Sequence, residues 1–357
     1  MAIPNNVPYF PILKTTDAEL KAFAALDAAT KNGILPIFEL TRSRRSKQNI
    51  DRCISKRLDS LKEIMGDSPF ILDLTVEKQL KNEEIDKILQ THENGFSLWV
   101  KLVKDNRDMG LNIIPVIHYD EDNLADVRQE ITNLSALSDT LAFRVSPADA
   151  VPYLEQLSTM RTSFNNLVLI LDAGYKEPTG QADKSGVFAN VIDAIVARFP
   201  NNLPQYIMCA FSSFPDTVSR YGGDESGSWQ RFEKLTYDSL RARYANDQNL
   251  HLVHSDYSSV HPLRYDTTGG QWIPRIDFLN DTHMFYYRYR RDDGGYPKAA
   301  ERVVADGNYA KIQGMNSWGG SEIEIAATGI PNGSAPAHWI AVRINLYITK
   351  TLSELTN

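Results

Sequence analysis

Eight short runs of apolar, largely β-branched residues recur along the 357-residue chain, and each stops at or just before a polar side chain. They lie at 9–14 (YFPILK), 34–39 (ILPIFE), 70–73 (FILD), 113–118 (IIPVIH), 141–144 (LAFR), 167–172 (LVLILD), 206–211 (YIMCAF) and 252–256 (LVHSD). Their apolar stretches are continuous rather than alternating, the pattern of parallel strands covered on both faces. Segments with helical spacing separate them at 17–30, 50–65, 84–108, 148–160, 187–199 and 230–244. Strand–helix alternation implies βαβ units, and eight strands are the number that closes a barrel. No glycine-rich nucleotide turn follows 9–14, so an open doubly wound sheet has less support. The expected fold class is therefore α/β, a (β/α)8 TIM-type barrel.

A ninth run, 283–289 (HMFYYRY), follows 272–279 (WIPRIDFL) across the turn residues Asn280 and Asp281. This predicts a β-hairpin at 272–291, inserted after the eighth strand and outside the barrel. Helical stretches at 297–312 and 339–352 come next, the second expected to close the barrel beside the first strand. Pro11, Pro36 and Pro115 count against buried strands at their positions unless they mark strand starts, because proline lacks a ladder N–H. No repeat, low-complexity tract or linker divides the sequence, so residues 1–357 are expected to form a single domain.

With 42% hydrophobic and 23% charged residues, a sizeable core can form. A net charge of −7 argues against non-specific binding to duplex DNA, which relies on clustered Lys and Arg. Cys53 and Cys209 are too few for a disulfide framework and lack metal-ligand spacing. The first residues have neither the basic nor the apolar region of a signal peptide, and no apolar run reaches the ~18 residues of a membrane span. These features predict a cytoplasmic protein with no membrane partner.

Barrels build their ligand sites at the C-terminal ends of the strands. Those ends supply Lys14, Glu39, Asp73, His118, Arg144, Asp172, Ser212, Ser213, Asp256 and Tyr257. Lys14 and Arg144 suit an anionic group; Ser212, Ser213 and Tyr257 add hydrogen bonds. Glu39, Asp73, Asp172 and Asp256 suit Mg2+ or Mn2+, and His118, Asp172 and Asp256 suit proton transfer. Taken singly, each is also an ordinary strand end or helix cap, and together the acids and bases could neutralise one another structurally. Arg288 lies in the aromatic- and arginine-rich end of the hairpin, a composition fit for stacking on bases or for a protein interface. Residues 42–47 (RSRRSK) form a basic cluster that suits phosphate or nucleic acid, or a solvated loop.

Several of these segments resemble the "beta protein" family of bacteria and bacteriophages. The resemblance runs through 9–14, Glu19 and Leu20, and 34–39, then 211–215 (FSSFP) and 255–257 (SDY) with His261 and Pro262. It ends at His338, Trp339, Arg343 and Asn345. Leu346 and Tyr347 stand where the family commonly has histidines. The resemblance implies a role tied to phages or mobile elements, in defence or counter-defence, and carries no catalytic residues with it. The barrel is also similar to glycerophosphodiester phosphodiesterases, but Lys14, Thr15 and Thr16 occupy the place of their His-Arg-Gly motif. Two functions follow. One is a module that binds a polar, anionic ligand, or a protein or nucleic-acid partner, at the strand ends. The other is a metal-dependent phosphodiesterase using the carboxylates. Asp256 and Tyr257, both at a strand end and in a family segment, carry the most weight.

Overall fold

The computed structural model describes residues 3, 7–47, 49–161, 163–178, 185–263 and 272–356. The strands are β1 (Tyr9–Lys14), β2 (Ile37–Leu40), β3 (Phe70–Leu74), β4 (Ile113–Ile117), β5 (Leu141–Val145) and β6 (Leu167–Tyr175). They continue with β7 (Tyr206–Ser212), β8 (Ser226–Gln230), β9 (Leu252–Asp256), β10 (Arg275–Leu279) and β11 (His283–Arg288). All but β8, β10 and β11 close a parallel barrel in chain order, β9 returning to β1. The expected (β/α)8 barrel is the observed one, and all eight expected strands are in it.

The prolines fit in a way that sequence reasoning did not foresee. Pro36 precedes β2, but Pro11 and Pro115 lie inside β1 and β4. In both strands the proline is the last residue of the run paired with one neighbour, and the next residue begins the run paired with the other.

Successive strand residues face opposite ways. One set, including Phe10, Ile12, Ile37, Ile71, Ile114, Val116, Ala142, Val168, Ile170, Met208, Ala210 and Val253, fills the lumen. The other set, including Leu13, Phe38, Leu72, Phe143, Leu169 and Ile207, packs against the surrounding helices.

The 272–291 hairpin is present, with Asn280 forming the turn: its Oδ1 accepts from Thr282 N at 3.0 Å and His283 N at 2.9 Å. It does not stand alone. β8 pairs antiparallel with β11, giving a second sheet in the order β10-β11-β8. That sheet has its own core with helices Gly295–Val304, Trp318–Ala327 and Pro336–Thr356. The last helix packs against helix Asp17–Ala24, where Asn345 Nδ2 donates to Ala22 O at 3.1 Å, and also reaches β1.

The 84–108 segment forms two helices, Glu83–Gln90 and Glu93–Asp108. Asn94, Gly95 and Phe96 have positive φ there, and a Cβ on Gly95 would lie 2.8 Å from Glu130 N. The backbone of the next helix, Leu124–Ser135, passes too close for any side chain. That helix and Trp318–Ala327 were not anticipated. Among the described residues no helix is long and apolar enough to cross a membrane.

Candidate functional site

At the C-terminal end of the barrel the lumen changes from apolar to polar within one layer. Lys14, Glu39 and Asp73 stand side by side in register on β1, β2 and β3. Arg144, Asp172 and Ser212 continue the inward set on β5, β6 and β7, and Tyr257, just past β9, completes it. Strand alternation explains the placement: each lies two residues beyond a lumen-filling position, with Ile12, Ile37, Ile71, Ala142, Ile170, Ala210 and Ser255 beneath.

Arg144 holds the layer together. Its Nε and Nη2 donate to Asp172 Oδ2 at 2.9 and 2.6 Å, and Nη2 also to Tyr257 Oη at 2.7 Å. Its Nη1 meets Asp73 Oδ2 at 3.0 Å and Glu39 Oε1 at 2.7 Å. All five guanidinium N–H groups thus have an acceptor. Tyr257 in turn donates to Asp172 Oδ2 at 2.6 Å. Lys14 Nζ donates to Pro262 O at 2.6 Å and lies 3.4 Å from Glu39 Oε2.

Burial opposes the Arg144 charge, but Tyr257 and the three carboxylates outweigh it and hold the guanidinium protonated. Glu39 is also opposed by burial, yet Lys14 and Arg144 keep its carboxyl below the ordinary value. At Asp73 burial wins over Arg144 and His118, and its carboxyl is raised. The layer sets three carboxylates against two cations.

Three helix glutamates that sequence reasoning missed support the strand ends. Glu19 accepts from Lys14 N, Glu233 from Ser213 N, and Glu130 from His118 N at 3.1 Å. Each is buried and has a raised carboxyl pKa, with burial as the largest cause. For Glu130 there was a signal: it interrupts the apolar face formed by Val127, Ile131 and Leu134.

Glu19 is pushed up to about 7 by burial, despite Lys14 beside it. The folded chain therefore keeps a proton that the unfolded chain releases near 4.5, and stability should fall as pH rises from there to about 7. Glu19→Gln should gain up to about 3 kcal/mol over the parent chain on going from pH 4.5 to pH 8. Urea denaturation of both chains checks this; a difference that does not change with pH would mean an ordinary carboxylate.

Four predicted site residues are not brought into the layer. Asp256 faces outward from β9 and is 1% exposed. It accepts from Tyr9 Oη at 2.7 Å, Ser258 N at 2.8 Å and Tyr347 Oη at 2.9 Å, and lies 2.9 Å from His254 Nε2. Ser213 also faces outward, onto Glu233 at 2.8 Å. His118, past the end of β4, turns to Glu130 at 3.1 Å and packs against Trp99 and Phe96. Arg288 lies on β11 in the second sheet, 3.7 Å from Asp224.

The carboxylates that suggested a metal are thus split: Asp256 is outside the lumen, and Glu39, Asp73 and Asp172 surround Arg144. Among the described residues no group of three or more His, Cys, Asp or Glu side chains is arranged to hold an ion.

Residues 257–263 cross the mouth. Ser212 Oγ donates to Val260 O at 2.8 Å, and the Tyr175 and His261 rings are 4.3 Å apart. Ser258 and Ser259 adopt φ of 50° and 65°, a strained conformation for residues with a Cβ, of the kind that concentrates at functional sites.

Comparison with known proteins places the chain in a family. Protein beta of Enterobacteria phage P4 is 30% identical over 355 residues, covering 97% of this chain and 93% of its own. The solved structure of an NADH-dependent reductase, A1-R' complexed with NAD, covers 71% of this chain and 97% of its own. Its identity is 11% and its TM-score 0.23, a level that carries no argument about fold or ligand. The profile described as Beta protein matches residues 9–353, nearly every element from β1 to the last helix, and the chain belongs to that family.

Proposed function

We propose that this Beta protein family member binds a small polar ligand at the C-terminal mouth of its barrel. The polar layer carries this reading: six strand-end side chains and Tyr257, just past β9, converge above a largely apolar floor, and five of them are ionisable as charged groups. Buried ion pairs commonly add no more stability than apolar side chains of similar volume. Stability alone is therefore a weak reason for such a layer, and a ligand is the stronger one.

The hydrogen-bond balance narrows the ligand. Every Arg144 donor is occupied, and Lys14 is committed to Glu39 and Pro262. An anionic group would reach Lys14 alone unless it displaced a carboxylate. The spare capacity is in the lone pairs of Glu39, Asp73 and Asp172, which suit hydroxyl or ammonium donors. Similarity to a phage protein supports a phage- or mobile-element-associated role, a setting that accommodates defence.

Native mass spectrometry of the protein as purified tests the reading. A retained small molecule lost in Asp172→Asn is the expected result, with Tyr257→Phe as the comparison should that variant fail to fold. A clean apo mass, with no thermal shift from polyols, amino sugars or nucleosides, would sink the proposal. Stabilisation by Mg2+ or Mn2+ that disappears in Asp172→Asn would replace it with metal-assisted phosphodiester hydrolysis.

A further inference from the structure

Among its described residues, the loop after β2 (41–54) holds no helix or named strand; Ser46 and Asn49 form a bridge. It is nevertheless pinned at its base. Arg42 N donates to Leu80 O at 2.8 Å, Ser43 N to Arg52 O at 3.0 Å, and Ile54 N to Glu84 Oε2 at 2.9 Å. Arg44, Arg45 and Lys47 project from this base. All three are exposed, and none makes an ion pair among the described residues. Some surface cations elsewhere are paired, as in Lys101–Asp105, Lys234–Asp238 and Arg243–Asp193, and others such as Lys56 and Lys87 are not, among the described residues. What marks this loop is three exposed, unpaired cations within four residues. On a chain of net charge −7, this loop is a local reversal of sign.

Exposed aliphatic side chains flank it. Ile50, Val76 and Leu263 are 62%, 80% and 52% exposed, on the loops after β2, β3 and β9. With β1 these strands are consecutive around the barrel, so the three loops border one sector of the mouth. Asn82 Nδ2 ties the first two loops through Arg52 O at 3.2 Å, and His261 of the third lies within electrostatic range of Glu77 in the second.

We propose that this sector docks an acidic segment of a partner protein, one with aliphatic side chains among its carboxylates. Arg44, Arg45 and Lys47 would take the carboxylates, for which guanidinium geometry is well matched. Ile50, Val76 and Leu263 would take the aliphatic groups. Single-stranded nucleic acid is less well matched, because its bases stack on aromatic rings and the exposed apolar groups of this sector are aliphatic. The pinned base reduces the ordering that docking would otherwise require. None of these residues belongs to the polar layer, so this surface and the lumen site stand or fall separately.

Fluorescence anisotropy with a labelled Glu-rich peptide carrying Leu at helical spacing tests the proposal. The unaltered protein should bind it, more weakly as salt rises. Arg44→Glu with Arg45→Glu and Lys47→Glu should weaken binding at least about tenfold, as should Val76→Asp with Leu263→Asp. All five positions are exposed, and unchanged melting temperatures would show that the variants remain folded. No peptide binding, binding indifferent to either set, or stronger loop-dependent binding of a single-stranded oligonucleotide would overturn it.

Discussion

Arg144→Met is expected to lower stability by about 3–5 kcal/mol, the range for removing one partner from a buried ion pair. The loss comes less from missing attraction than from what remains. Glu39, Asp73 and Asp172 would be left facing one another, with only Lys14 as a nearby cation and 257–263 across the mouth. The pH dependence has a definite sign. In the parent chain the Glu39 carboxyl lies below its ordinary value, so its contribution is present at neutral pH and is lost only as pH falls through that lowered value. Without Arg144, burial would raise it instead, and acid would relieve the variant. The gap between the two chains should therefore be largest near pH 7 and narrow towards pH 4.5 in urea midpoints. Arg144→Lys should recover part of the loss, because it restores charge without the fork that spans Asp73, Asp172 and Tyr257. Equal midpoints for Arg144→Met and the parent chain would show that the layer is already neutralised without Arg144.

Asp256→Ala should also cost about 3–5 kcal/mol, for a different reason. One carboxylate terminates hydrogen bonds from two tyrosines and a backbone N–H and pairs with His254, all in a region closed to water. Removing it strands those donors together, and each buried unpaired donor costs about 1–3 kcal/mol. Burial raises the Asp256 carboxyl, but His254 and Tyr9 outweigh it, so the folded pKa is lowered. Its contribution is complete above the ordinary carboxylate value and is lost only as pH falls below it. Asp256→Asn should be intermediate, since an amide oxygen can serve only part of the set. A well-folded Asp256→Ala with an unchanged urea midpoint would refute this structural role and return attention to chemistry at this residue.

The strands were legible because buried parallel strands must be apolar on both faces, and 141–144 or 167–172 admit little else. The polar layer was legible for the same reason: the residue that ends an apolar run is often the first inward position above the lumen floor. What strand ends do not reveal is direction. Asp256 and Tyr257 are adjacent in sequence, yet alternation sends Tyr257 into the lumen and Asp256 under the last helix. Ser212 and Ser213 divide in the same way. β8 escaped notice because Ser226, Gly227 and Ser228 have no strand pattern of their own, and pairing with β11 makes them one. Trp318–Ala327 was hidden by Gly319 and Gly320, poor helix formers that fit because Gly319 meets Asn345 Oδ1 and the backbone of the last helix. Glu19 and Glu233 could be placed only once helices and strand ends were seen together.

β1 gains one neighbour early, in β2, but its other neighbour is β9, and Tyr9 and Asp256 are separated by 247 positions. At synthesis rates of about 5–20 residues per second, the ribosome needs roughly 12–50 s to deliver that partner. Throughout that interval one side of the first strand is an open template for pairing with other chains. Nascent protein should therefore be more prone to aggregation than the finished barrel, and chaperone demand should fall abruptly once residues 252–256 have left the exit tunnel.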